Sequence, residues 1–379
     1  MSKTIIRRSL ALAFVIPLPL FTTACFHDDG NEIILDYNSS LKGTYLVQQA
    51  GENSNGVYIA QIEVTSNGNG SGNFNILRHS QGHTTPSPAT FTYNVSKDGT
   101  FSVNNGGGDD SGIVSQDGSL FVIVDAQTPS FDTDGEAILS IGIKKNCTTA
   151  PVLSGDYQIG QIAVDYSTAT PLVFTSRVDI SMTSSNTGTF TIVEHSLGHT
   201  GSGDFTLATN SDCTIVVNNG LGDDFGIASK DGSLFALVDA DETGDSDNSI
   251  VLAIGVKKST GLTNSSLTGD YFLGQMGQNT SGVSPANYTS QVNIYSQGDG
   301  TGNAFIAQQS LGNSGVDVPF TYSVDPIGTY SANNGGGTDY GIISSNGEFF
   351  IAVDASQNVS DNDNEIVFAA AVKKFLRPD

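Results

Sequence analysis

Tryptophan is absent from this chain, methionine and cysteine occur three times each, and Lys and Arg number only 15 against 39 Asp and Glu. The shortage of basic residues leaves a formal net charge of −24. A surface of that sign repels nucleic acid and anionic lipid headgroups, which excludes them as docking partners. Three cysteines are too few for a disulfide scaffold, so the core must come from apolar burial. Long apolar runs are also missing. The only one, Leu10 to Phe21, is broken by Pro17 and Pro19 and is too short for an ordinary membrane-spanning helix. Helical periodicity is absent too. Instead, 44 glycines together with Asn, Asp and Ser punctuate short runs rich in Val, Ile, Phe, Tyr and Thr. That composition predicts an all-β chain. At roughly 100–150 residues per domain, the length allows two to four domains.

The N-terminus reads as an export signal. Lys3, Arg7 and Arg8 precede the apolar run, and the small residues Thr22, Thr23 and Ala24 lead into Cys25. This resembles the lipobox of bacterial lipoproteins, with Thr22 where that family usually has Leu. The resemblance implies a lipoprotein signal peptide over 1–24 and lipidation of Cys25, hence an acyl anchor in a bilayer. Phe26 stands where an inner-membrane retention signal would resemble Asp, which points to the outer membrane, on its periplasmic or its cell-surface face. An ordinary signal peptide cut nearby is the alternative. Loss of residues 1–24, which carry three positive charges and no acids, takes the charge from −24 to −27. Residues 25–40 then read as a tether.

Internal repetition organises the remainder. Leu41-Lys-Gly-Thr-Tyr45, Leu153-Ser-Gly-Asp-Tyr157 and Leu267-Thr-Gly-Asp-Tyr271 open three segments. Lys144-Lys145, Lys257-Lys258 and Lys373-Lys374 close them. The spacing from Tyr45 to Tyr157 is 112 residues and from Tyr157 to Tyr271 is 114. The repeats are therefore placed at 41–146, 151–259 and 265–376. Each accommodates about eight strands, with Asn-Gly and Asp-Gly hairpin turns such as Asp98-Gly99 and Asp117-Gly118. Longer connections are expected after the first, third and seventh strands.

An antiparallel eight-stranded meander has two open edges, and closure into a barrel removes both. The Leu-x-Gly-x-Tyr opening is similar to the first-strand Gly-x-Trp pattern of avidins and lipocalins, which implies β-barrels. The seventh strand reads against an exposed barrel wall. Leu120-Phe-Val-Ile-Val-Asp125 and its copies Leu234–Asp239 and Phe349–Asp354 are apolar on both faces. Either these strands pack on a neighbouring repeat, or the repeats are β-sandwiches, or the chain is a propeller with two blades per repeat.

Several residues are candidates for a site. The segment before each last strand carries alternating carboxylates: Asp132, Asp134 and Glu136; Asp245 and Asp247; Asp361, Asp363 and Glu365. Asp125, Asp239 and Asp354 lie just upstream. Such oxygens could hold Ca²⁺, or the segments could be solvated turns. Asp109-Asp110, Asp223-Asp224 and Asp339 follow glycine-rich stretches and read as turns. Two repeats carry His-Ser-x-Gly-His, with His79 and His83, and His195 and His199. On a straight strand such rings would stand about 13 Å apart, too far to share zinc or copper. Gly82 and Gly198 could curl the chain and bring them together, or the segments could be surface turns. Repeat three has Gln309 and Asn313 there. Cys147 lies between repeats and Cys213 inside the second, so the pair could form a disulfide that pins a linker to a domain or could stay as two inert thiols.

No nucleophile elbow, phosphate loop or zincin helix is present. Repetition without a unique acid–base cluster favours a non-catalytic envelope module that binds a ligand or serves structure. A carbohydrate-active enzyme on a β-propeller is the alternative. Three equivalent small sites would favour the binder, and one deep shared pocket the enzyme.

Overall fold

Hairpin-linked strands of the expected number form in each repeat. The structure, a computed structural model, describes residues 37–85, 88–106, 108–127, 135–240, 248–281, 285–355 and 364–375. Barrel 1 comprises β1 (Gly43–Asn53), β2 (Gly56–Ser66), β3 (Ser71–His79), β4 (Ala89–Val95), β5 (Thr100–Asn104), β6 (Asp109–Val114), β7 (Leu120–Asp125) and β8 (Ala137–Lys144). Barrel 2 comprises β9 (Gly155–Asp165), β10 (Leu172–Met182), β11 (Thr187–His195), β12 (Ser202–Thr209), β13 (Thr214–Asn218), β14 (Asp223–Ala228), β15 (Leu234–Asp239) and β16 (Ser249–Lys257). Barrel 3 comprises β17 (Thr268–Asn279), β18 (Ala286–Gln297), β19 (Thr301–Gln309), β20 (Val316–Val324), β21 (Thr329–Asn333), β22 (Thr338–Ile343), β23 (Phe349–Asp354) and β24 (Glu365–Lys373). All pairings are antiparallel, and the first strand of each barrel pairs with the last, so each sheet closes. Among the described residues neither sandwiches nor propeller blades form.

Two expectations need correction. In barrel 1 the first connection is short, because β1 runs on to Asn53, which pairs with Gly56. Nor is the tether free of structure up to residue 40. Tyr37–Leu41 forms a 3₁₀ turn, in which Asn38 Oδ1 accepts the Val95 amide at 2.9 Å and Leu41 is buried. These residues form the floor of barrel 1. Asn264 does the same for barrel 3, accepting the Val324 amide at 2.8 Å.

The opening tyrosine has a defined partner in every barrel. The buried hydroxyls of Tyr45, Tyr157 and Tyr271 donate to the carbonyls of Gly118, Gly232 and Gly347 at 2.7, 2.7 and 2.8 Å. Each ties the first strand to the turn between the sixth and seventh strands, which the Asp-Gly or Asn-Gly pair makes possible. Burial without charge stabilisation raises the pKa of all three phenols, so they remain donors.

The two-faced strands are explained by contact between barrels, since 36–379 forms one compact unit. Phe121 and Ile123 point into barrel 1, whereas Leu120, Val122 and Val124 join a core shared by all three barrels. Leu234, Ala236 and Val238 from barrel 2, and Phe349, Ile351 and Val353 from barrel 3, enter the same core. The contacts are cyclic. Strand β7 packs on β17 and β18, β23 on β9 and β10, and β15 on β1 and β2. One head-to-tail contact used three times closes a ring around a pseudo-three-fold axis.

The joints share parts. Thr289 Oγ1 donates to the Asp125 carbonyl and Thr175 Oγ1 to the Asp354 carbonyl, both at 2.5 Å. The third joint has the buried Ile59 at the matching position. The segment leaving each barrel also docks on the turn between the fourth and fifth strands of the next. Cys147 is disulfide-bonded to Cys213, with Cα atoms 5.3 Å apart. Ser259 and Leu262 amides donate to the carbonyls of Ile327 and Pro326. The Phe375 amide donates to the Asp98 carbonyl, which closes the ring onto barrel 1.

Three barrel cavities with a common polar end

The inner face of the first strand sets the character of each cavity. Tyr45, Val47 and Gln49 alternate inward in barrel 1, so an aromatic floor, an apolar wall and an amide follow one another along the barrel. Gln161 and Gln275 line the cavities of barrels 2 and 3 at the position of Gln49. The cavities measure about 120 Å³ in barrel 1, 530 Å³ in barrel 2 and 300 Å³ in barrel 3.

A pair of aspartates stands at the same end. Strands β6 and β7 pair Ser111 with Val124, and the next residues outward, Asp110 and Asp125, both lie on the inner face. Both are buried. The registers Phe225 to Val238 and Tyr340 to Val353 set Asp224 opposite Asp239 and Asp339 opposite Asp354 in the same way. Opposed residues on antiparallel strands have Cα atoms roughly 4.5–5.5 Å apart, so these carboxyl groups are neighbours. Asp110, Asp224 and Asp339 thus belong to strands and cavities rather than to solvent turns. Sequence reasoning treated each pair as unrelated segments, and the register alone brings them together. It also missed Gln49, Gln161 and Gln275, whose signal was one amide recurring four residues after each opening tyrosine.

The paired histidines reach the same end. Gly82 and Gly198 adopt φ of 73° and 76°, and the chain curls so that the ring centroids of His79 and His83 lie 4.7 Å apart and those of His195 and His199 lie 4.8 Å apart. His79 stacks on Tyr58 and His195 on Phe174. Burial, with a smaller contribution from the neighbouring imidazole, lowers both His79 and His195 to about 4. The Nδ1 atoms accept the amides of Gln81 and Leu197 at 3.1 and 3.0 Å, which places the proton on Nε2. Neither nitrogen of these neutral rings then offers a lone pair to a metal. Among the described residues no group of three His, Cys, Asp or Glu converges as a metal site. In barrel 3, Asn313 Nδ2 donates to Gln309 Oε1 at 2.5 Å in place of the imidazole pair.

Of the carboxylates considered for Ca²⁺, Asp132, Asp134, Asp245, Asp247, Asp361 and Asp363 lie outside the described residues, as does Cys25. Glu136 and Glu365 accept the hydroxyls of Tyr58 and Tyr288 at 3.1 and 2.7 Å. In barrel 1 this contact extends inward. Ser140 Oγ donates to Gln49 Oε1 at 3.0 Å, and Gln49 Nε2 donates to the Tyr58 hydroxyl at 2.9 Å.

No protein-family model and no curated protein matches the sequence. Solved structures do match. Transferrin binding protein B from Haemophilus parasuis, as a double mutant, is 10% identical with a TM-score of 0.28, over 88% of this chain and 76% of that one. The same protein from Neisseria meningitidis is 10% identical with a TM-score of 0.27, over 89% and 77%. A protein of unknown function from the DUF3598 family of Nostoc punctiforme is 8% identical with a TM-score of 0.23, over 90% and 98%. At these scores the likeness assigns neither family nor function to this chain.

Proposed function

We propose that the chain is a non-catalytic envelope lipoprotein whose barrels bind small ligands with apolar bodies. One observation carries the reading: a glutamine and an aspartate at the same inner-face positions line an apolar cavity in all three barrels, and the opposed second aspartate joins them in barrels 2 and 3. Enclosed apolar walls with a few convergent polar groups are the usual form of a small-molecule site. Lipidation at Cys25 would hold the barrels at the outer membrane, where repeated sites raise the local capacity for ligand.

Nile red, a neutral apolar dye, serves as the probe. It should bind the folded chain saturably, with an emission blue shift, and n-decanol should displace it. Absence of saturable binding refutes the reading. Separately, Cys25→Ser should move the protein from the membrane to the soluble fraction, and retention of that variant would refute the anchor.

A further inference from the structure

We infer that barrel 2 holds the principal binding site and that its ligand carries a cationic head on an apolar body. This rests on the reading of the barrels as binding modules. The three cavities differ in one graded respect. Barrel 1 is filled at its polar end by the chain Ser140, Gln49, Tyr58 and Glu136. Barrel 3 keeps the last link, Tyr288 to Glu365, but has Ala369 at the serine position. Barrel 2 has Ala253 and Phe174 at the serine and tyrosine positions, which removes the hydroxyls that make these links. Its inner aromatics are also reduced. Leu207 and Ile215 stand where barrel 1 has Tyr93 and Phe101 and barrel 3 has Tyr322 and Tyr330.

The volumes follow that order. Ligand sites commonly occupy about 300–1,000 Å³. Barrel 2 at about 530 Å³ lies well inside that range, barrel 3 at about 300 Å³ on its edge, and barrel 1 at about 120 Å³ below it.

A second observation marks the same place. Ser176 pairs with Gln161 on one side and with His195 on the other, both of which line the cavity. Ser176 is fully buried, and its hydroxyl has no hydrogen-bond partner among the described residues. Barrel 3 repeats this with Ser290, between Gln275 and Gln309. Barrel 1, with the smallest cavity, has Ala60 there. A buried hydroxyl left unsatisfied is costly, and a ligand head would satisfy it.

The sign of the head follows from the charges that line the cavity. Asp165, Asp224 and Asp239 line it, and among the described residues no Lys or Arg does. His195 is held neutral by burial, so it offers no compensating charge. Opposed carboxylates in an enclosed site favour a cation between them and disfavour an anion. An ammonium on an alkyl or aryl body meets each of these features.

The test uses the whole chain and three probes of one length at pH 7: n-decylamine, n-decanol and decanoate. Titration calorimetry should give one strong site for decylamine, at least tenfold tighter than for decanol, with decanoate weakest. Asp239→Asn should remove at least tenfold of the amine's advantage over decanol. Ala253→Phe, which fills barrel 2, should abolish the strong site, whereas Ser140→Phe in barrel 1 should spare it. Should Ala253→Phe fail to melt cooperatively, Val251→Trp from the same wall replaces it. Equal affinity for amine and alcohol overturns the cationic head. A well-folded barrel 2 variant that keeps the strong site overturns the assignment to barrel 2. Failure of all three probes and of Nile red overturns the binding reading itself.

Discussion

Substitution of Gly160 by alanine separates a packed ring from three independent barrels, because the two arrangements predict opposite signs. Gly160 lies in β9 on the outer face of barrel 2. A Cβ there would sit 2.5 Å from Val353 Cγ2, 3.1 Å from Phe368 Cε2 and 3.2 Å from Ile351 Cδ1, all on barrel 3. Those three side chains are at most 1% exposed, so they have little room to retreat. Overpacking of this kind costs about 1–3 kcal/mol. On an independent barrel the same position would face water, and glycine to alanine in a compatible backbone would stabilise by about 0.4–1 kcal/mol through the unfolded chain. Gly274→Ala at the next joint meets Leu139 Cδ1 at 2.9 Å and Val122 Cγ1 at 3.2 Å, so its cost should be smaller. Gly201→Ala is the control, since its nearest neighbour is Ile192 Cδ1 at 3.9 Å. Urea unfolding followed by circular dichroism should order the midpoints Gly201→Ala highest, then Gly274→Ala, then Gly160→Ala. A midpoint for Gly160→Ala at or above the parent's, with unchanged slope, refutes the shared core.

Other expectations follow from single features. Cys213 holds φ of 75° where the matching turns have Gly99 and Gly328. Without the 66-residue disulfide loop, worth about 4 kcal/mol in the chain-entropy account, Cys147→Ser with Cys213→Gly should therefore melt higher than Cys147→Ser with Cys213→Ser. Equal melting would refute backbone strain at that turn. His79 and His195 titrate near 4 in the folded chain, below the 6.5 of a free imidazole. The unfolded chain therefore takes up protons first, and stability that is fully present above pH 6.5 should fall as the pH drops from 6.5 to 4. His79→Gln with His195→Gln should flatten that part of the stability profile, and an unchanged profile would contradict their burial as neutral rings. Millimolar Ca²⁺ should raise the melting temperature more than Mg²⁺ does, and Asp132→Asn, Asp134→Asn and Glu136→Gln together should remove part of the gain. Equal effects of both ions would reduce these carboxylates to solvated turn residues.

Much of the fold was legible because local chemistry repeats. Leu-x-Gly-x-Tyr, the Asp-Gly and Asn-Gly turns and the paired lysines mark the same points in three copies. The two-faced Leu120–Asp125 strand also announced a second packing partner. Which partner it has was not legible, because β7 meets β17 and β18 from more than a hundred residues away. The site was less legible for the same reason. Asp110 and Asp125 are separated by a hairpin, and only the pairing of Ser111 with Val124 shows that both face inward. The close approach of the paired histidines depends on the positive φ angles of Gly82 and Gly198, which strand spacing alone does not reveal. The grading of the cavities depends on side chains from different strands, such as Ser140, Gln49 and Tyr58, whose convergence no spacing rule predicts.

The central claim is that the barrels are ligand sites and that barrel 2 is the strongest of them. A crystal structure of the chain with n-decylamine tests it most directly. The account predicts the alkyl chain inside barrel 2 against Ile159, Val178 and Leu237, with its nitrogen within hydrogen-bond distance of Asp224 or Asp239. An empty barrel 2, with the amine elsewhere on the acidic surface, would contradict it.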